Sequence, residues 1–279
     1  MLDQRTLAFY RQLAPWMAGR GRGQRGSIIG INGGQGSGKS TAAAFLKDEL
    51  LSAHGLRAVV LSLDDFYLPR ADRERLARDV HPLFATRGVP GTHDVQLGID
   101  TLDKLRVLRT EDSLALPQFS KAEDDRMPAS RWPSVSGPVD IVLFEGWCVG
   151  TPPQTSAELT EPVNDLEGRE DADGRWRSIV NEQLRTTYAE WFSRLDALVF
   201  LRVPDIDCVR RWRWQQEQDT ASAASSSAIG LQSRTQLDRF IQHYERLTTH
   251  ALRVLPARAD VLLTLGEDHV VGSILFRPS

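Results

Sequence analysis

The sequence predicts a three-layer α/β fold: a mainly parallel five-stranded sheet with helices on both faces, and a lid. Two observations predict it. Short apolar runs alternate with longer segments of helical period, the pattern of a parallel sheet covered on both sides. The polar residues with chemical potential also gather where successive apolar runs end, which is where an open parallel sheet collects its ligands.

The elements follow in order. Residues 5–18 form an amphipathic helix with Leu7, Phe9, Tyr10, Leu13 and Trp16 toward a core. Ser27 to Ile31 is the first buried strand, and Thr41 to Leu51 the helix after it. Ala58 to Ser62, Val139 to Phe144, Ala197 to Leu201 and Val261 to Leu265 are the other four strands. Helical patterns lie near 97–108, 176–193, 205–217 and 231–253. The stretch from Thr151 to Gly174, with prolines and many acids, reads as a surface insertion of about 151–175 in a single domain. The Ala/Ser-rich run of about 219–230 reads as a mobile segment beside a lid.

Composition narrows the function classes. At 279 residues and 41% hydrophobic, the chain can bury a large core. A net charge of −3 speaks against nucleic acid as a main partner, and Arg20 to Arg25 reads as a solvated loop. No apolar run approaches membrane-spanning length, and Asp3, Arg5 and Arg11 break any signal-peptide pattern. The two cysteines, Cys148 and Cys208, read as free thiols in a reducing, cytoplasmic setting.

The chemistry begins at Gly33-Gly34-Gln35-Gly36-Ser37-Gly38-Lys39-Ser40, which fits the phosphate-binding P-loop at every fixed position. Strand, glycine loop and helix occur in the required order, so the fold expected is that of a P-loop NTPase. The glycines let the backbone wrap a polyphosphate, and the N–H groups leading into Thr41 and its helix point at the oxygens. Lys39 supplies a mobile cation for the β- and γ-phosphates, and Ser40 a hydroxyl for Mg²⁺. ATP and Mg²⁺ are therefore the expected cofactors.

Asp64 and Asp65 follow the second strand in Ser62-Leu63-Asp64-Asp65-Phe66-Tyr67. Phosphoryl transfer to an alcohol needs a carboxylate to take the hydroxyl proton and carboxylates to organise Mg²⁺. Glu145 ends the third strand in the manner of a Walker B acid. Arg87 to Asp94, dense in turn formers, reads as a surface or site loop. Lys121 and Arg126 offer cations to an anionic substrate, and Arg210 and Arg213 lie on nearly one face of the helix after the fourth strand.

These motifs resemble the P-loop D-glycerate 3-kinases, relatives of uridine kinase, phosphoribulokinase and pantothenate kinase. The P-loop, D-D-F-Y, R-G-x-P-G-T-H-D and F-E-G-W segments occur in that order, with W-R-W-Q-Q-E and His243 to Thr248 after them. The resemblance implies MgATP as donor and the 3-hydroxyl of D-glycerate as acceptor. It implies Asp64 as base, Lys39 as phosphate lysine, Glu145 as Walker B acid and Arg213 as lid arginine. Ser40, Asp64 and Glu145 would serve the metal, and Arg210 the nucleotide. Asp65, Tyr67, Arg87, His93, Asp94, Lys121 and Arg126 would line the acceptor site. Where the family has a tyrosine–aspartate pair before the lysine, this chain has Phe119-Ser120. The alternatives are another small-molecule P-loop kinase, acting on a nucleoside, pantothenate or a sugar phosphate, and a non-catalytic ATP-binding module. A GTPase switch would need an N-K-x-D motif, and the sequence has none.

Overall fold

The structure, a computed structural model, describes residues 3–223 and 234–277. Its first half runs α1 (Gln4–Gly23), β1 (Ser27–Gly33), α2 (Lys39–His54), β2 (Ala58–Ser62), α3 (Arg70–Asp79) and α4 (Val95–Arg106). Two small two-stranded sheets follow: β3 (Ser113–Ala115) pairs antiparallel with β6 (Ser134–Ser136), and between them in the chain β4 (Phe119–Ser120) and β5 (Asp125–Arg126) form a hairpin. The second half runs β7 (Ile141–Gly146), α5 (Asp165–Glu170), α6 (Arg175–Arg185), α7 (Thr187–Phe192), β8 (Ala197–Arg202), α8 (Ile206–Ala223), α9 (Arg234–Val254), β9 (Val261–Leu265) and β10 (Val271–Phe276).

The main sheet has the order β10-β9-β8-β1-β7-β2. The five expected strands are all parallel, and β1 lies at their centre, paired with β7 and β8. A sixth strand, β10, adds antiparallel to β9 at the edge. It escaped the sequence reading because Gly272 and Ser273 interrupt its apolar pattern and an edge strand needs only one buried side.

Strand alternation builds the two cores. Ile28, Val142 and Phe144 face a layer containing Leu102 of α4, Trp191 of α7 and Leu247 of α9. Ile29, Ile31 and Leu143 face the other layer, with Met17 of α1 and Leu46 of α2. The same pairing aligns the carboxyl ends of the strands. Ile31 and Ser62 both sit opposite Glu145, and Gly33 sits opposite Leu201.

Several expectations change in detail. Arg20 to Gly23 belong to α1 rather than to a loop. Residues 176–193 are two helices, parted at Thr186, where the backbone leaves helical angles. Residues 219–223 continue α8; residues 224–230 of the expected mobile segment lie outside the described residues. The stretch 151–174 is not uniformly superficial: Glu167 and Asp171 are buried and paired with Arg246 and Arg177. Among the described residues no helix is long and apolar enough to cross a membrane.

Candidate active site

The turn between β1 and α2 is shaped by its glycines. A Cβ on Gly33 would meet Ser37 Oγ at 2.5 Å. Gly36 and Gly38 hold φ of 78° and 81°, a left-handed conformation that favours glycine. Gly38 caps α2 with no side-chain bond, so the N–H groups at the helix start face the loop. The Gln35 amide and the Ser37 hydroxyl are buried without a hydrogen-bond partner in the protein. A ring of donors around a left-handed turn, with unpaired polar groups beneath it, fits a polyphosphate.

Parallel pairing of β1 with β7 carries Glu145 to this loop. Ser40 Oγ donates to Glu145 Oε1 at 2.7 Å. Glu145 is buried, and its Oε2 has no hydrogen-bond partner in the protein. A hydroxyl and a carboxylate beside a phosphate cradle suit a hard cation whose other ligands are phosphate and water oxygens. Among the described residues no group of three His, Cys, Asp or Glu forms a self-contained metal site.

Asp64 sits in the 3-10 turn Leu63–Phe66 that leaves β2. Both of its oxygens are engaged. Tyr67 donates its hydroxyl to Oδ1 at 3.0 Å, and Lys121 Nζ lies 2.6 Å from Oδ2. Burial opposes ionisation of Asp64, yet the charges of Lys121 and Lys39 outweigh it and hold the carboxyl at about 2. Asp65 points the other way and accepts from the Phe119 N–H at 3.2 Å, tying β4 to the strand end. Burial pushes Asp65 up to about 6, against the Phe119 hydrogen bond and with the help of the neighbouring Asp64 charge.

The Arg87–Asp94 loop is a braced turn. Thr92 Oγ1 donates to Val89 O at 2.7 Å and accepts from the Gly88 N–H at 3.0 Å. Tyr244 donates to Arg87 O at 2.9 Å, and Trp147 Nε1 to Gly88 O at 3.2 Å. The loop thereby presents Arg87, which pairs with Asp124. Arg73, buried among backbone carbonyls, also pairs with Asp124 and steadies the β4–β5 turn that carries Lys121.

Lys39, Ser40, Thr41, Asp64, Tyr67 and Glu145 line one cavity of about 510 Å³, together with Gln35, Gly36 and Gly38 of the loop. Arg87, Lys121 and Arg213 bring cations to the same space. Other expected contacts are spent on the protein itself. His93 is buried, stacks on Tyr67 at 4.4 Å and meets the Tyr188 hydroxyl at 2.6 Å. Burial lowers it to about 3, so the ring is neutral near neutral pH. Asp94 caps α4 through the Leu97 N–H and pairs with Arg126 at 3.0 Å. Arg126 also donates to Tyr67 O. Arg210 is held by Asp207 and Glu245. His93, Asp94, Arg126, Arg210 and Asp65 are therefore bracing residues, and none of them lines the cavity.

Sequence reading missed part of the wall: Trp147, Tyr244 and Phe240 on one side, Trp212 and His269 on the other. The last two stack at 4.3 Å over the P-loop turn. Trp147, next to Glu145 at a strand end, carried a usable signal. His269 did not, because it reaches the loop from the unforeseen β9–β10 hairpin.

No protein-family model matches the chain. It is 34% identical over 199 residues to D-glycerate 3-kinase of Arabidopsis thaliana, a chloroplastic protein, across 68% of this chain and 41% of that one. It is 34% identical over 230 residues to the uncharacterized kinase mug58 of Schizosaccharomyces pombe, across 78% of each. The solved D-glycerate 3-kinase of Cryptococcus neoformans superposes with a TM-score of 0.78 over 97% of this chain and 99% of that one. At 24% identity that likeness shows the fold. At 34% identity to each, and spanning most of the fission yeast kinase, the chain belongs to the family of P-loop kinases that these two relatives represent.

Proposed function

We propose that the chain transfers the γ-phosphoryl group of ATP to the 3-hydroxyl of D-glycerate. The observation that carries this reading is Asp64, set in one cavity between the P-loop lysine and the acceptor-side cations Lys121 and Arg87. Phosphoryl transfer asks the protein chiefly for position and charge. The P-loop N–H groups and Lys39 hold the triphosphate. Ser40 and Glu145 would hold Mg²⁺, which would neutralise phosphate charge. Asp64, engaged by Tyr67 and Lys121 on the acceptor side, is read as the base rather than as a metal ligand.

Arg87 and Lys121 grip the acceptor carboxylate, and a two-point grip aims the far hydroxyl at the γ-phosphorus. Asp64 takes the hydroxyl proton as the acceptor oxygen bonds to phosphorus. The bond to the bridging oxygen breaks, and ADP leaves with that electron pair. Arg213 lines the same cavity and would meet the charge that develops on the moving group.

The aromatic wall of Tyr67, Trp147, Phe240 and Tyr244 keeps a second reading alive, a nucleoside acceptor. Three of these rings are committed to bracing: Tyr67 to Asp64, Trp147 to Gly88 and Tyr244 to Arg87. ADP release measured with D-glycerate, D-lactate, glycerol and uridine at equal concentration separates the readings. D-glycerate should be the fastest acceptor. Faster turnover of uridine or glycerol would overturn the carboxylate grip.

A further inference from the structure

The two partners of Asp64 differ in their freedom to leave. Tyr67 is buried, wedged between the His93 ring at 4.4 Å and the Phe119 ring at 5.2 Å. Its bond to Oδ1 is a permanent brace. Lys121 stands in the turn between β4 and β5, with 64% of its side chain exposed. It covers Oδ2, the oxygen Tyr67 does not use, and it does so as an ammonium, which has no acceptor to offer a hydroxyl. A hydroxyl approaching Oδ2 must therefore compete with the ammonium, and Asp64 accepts a proton poorly until Lys121 moves. Arg87 lines the same cavity as Lys121, so a carboxylate binding there has both cations to draw on.

We propose that Lys121 is a positioning residue that locks Asp64, and that an acceptor carboxylate opens the lock by drawing the ammonium onto itself. Recognition of the acid and release of the base are then one event. The lock restrains wasteful hydrolysis, in which water oxygen bonds to the γ-phosphorus, ADP leaves with the bridging electron pair and Asp64 receives a water proton. It also selects acceptors by charge, since a neutral polyol or a nucleoside leaves Lys121 in place. The proposal rests on the kinase reading above.

The test is ATP hydrolysis without acceptor, measured for the wild type, Lys121→Met and Lys121→Arg, with and without D-lactate. D-lactate has the carboxylate but no 3-hydroxyl, and its binding is verified by competition with D-glycerate. Base catalysis is worth ~10²–10⁴ in rate, so the lock should suppress hydrolysis by at least about tenfold. D-lactate should stimulate the wild type. Lys121→Met should hydrolyse ATP about tenfold faster than wild type and ignore D-lactate, with a raised KM for D-glycerate. Lys121→Arg, which keeps the cation, should restore low hydrolysis. Equal hydrolysis in wild type and Lys121→Met, or D-lactate that competes without stimulating, overturns the lock. D-glycerate turnover recorded in the same samples tells this failure from failure of the kinase reading, in which D-glycerate would not be phosphorylated at all.

Discussion

Ser40 Oγ and Glu145 Oε1 are 2.7 Å apart although 105 residues separate them in the chain. The link joins the first turn of α2 to the end of β7 and exists because β1 and β7 pair in parallel with Ile31 opposite Glu145. It makes the phosphate loop and the acidic strand end one unit.

Ser40→Ala should therefore act on the cation first. The half-saturating Mg²⁺ concentration for turnover should rise about tenfold, the scale of 1.4 kcal/mol for one lost favourable contact to a charged group. A Mg²⁺ titration of initial rates checks this, and an unchanged midpoint would separate Ser40 from the metal.

Gly88 is the tightest point of the acceptor-side loop. Its φ is 144°, and a Cβ would lie 2.2 Å from the Tyr244 hydroxyl. Gly88→Ala should cost about 2–4 kcal/mol of stability, as backbone strain and overpacking add. The displaced loop would carry Arg87 with it, so KM for the acceptor should rise while KM for ATP stays near wild type. Urea unfolding and steady-state kinetics read the two effects separately.

Glu167 is wholly buried and accepts two hydrogen bonds from Arg246, at 2.7 and 2.6 Å. Glu167→Ala would leave a buried guanidinium uncompensated and should destabilise by about 3–5 kcal/mol. A loss below 1 kcal/mol in urea unfolding would mean that the segment around α5 is a dispensable excursion.

Acid should weaken the fold through its buried histidines. Burial lowers His93 to about 3 and His243 to about 4, against about 6.5 in an unfolded chain. As pH falls below about 6.5 the unfolded chain takes up these protons first, so their stabilisation, complete above that pH, is lost progressively down to about pH 4 for His243 and about pH 3 for His93. Each histidine contributes a slope of up to about 1.4 kcal/mol per pH unit. Asp65, raised to about 6 by burial, works in the opposite sense over pH 4–6. The clean measurement is the difference between wild type and His243→Gln: unfolding free energies from pH 7.5 to 5 should fall less steeply in the variant. Parallel curves would contradict the assignment.

The legible parts of this chain are those governed by local pattern. β2 and β9 fall on the expected residues because each is a short apolar run, and the P-loop declares itself because its geometry demands glycine at set positions. Asp64, Lys39 and Glu145 could be placed together because strand ends in a parallel sheet converge. His93, Asp94 and Arg126 could not be sorted from Arg87 and Lys121, since all are polar residues in irregular segments. Which of them faces the cavity depends on long-range partners: Tyr188 for His93, and the mutual pairing of Asp94 and Arg126. The acidic stretch around Glu167 read as surface for the same reason, because its partner Arg246 lies 79 residues away. Periodicity carries no information about such pairs.

The central claim is that Asp64, within this cavity, directs the γ-phosphoryl group to the 3-hydroxyl of D-glycerate. The most direct measurement is transfer of labelled γ-phosphate from ATP to D-glycerate by wild type, Asp64→Asn and Asp65→Asn, with the product's phosphorylated carbon identified by NMR. The account predicts 3-phospho-D-glycerate from the wild type. It predicts a kcat lowered by ~10²–10⁴ in Asp64→Asn with ATP affinity little changed, and a smaller loss in Asp65→Asn. Phosphate on the 2-hydroxyl, no transfer at all, or an Asp64→Asn enzyme as active as wild type would contradict it.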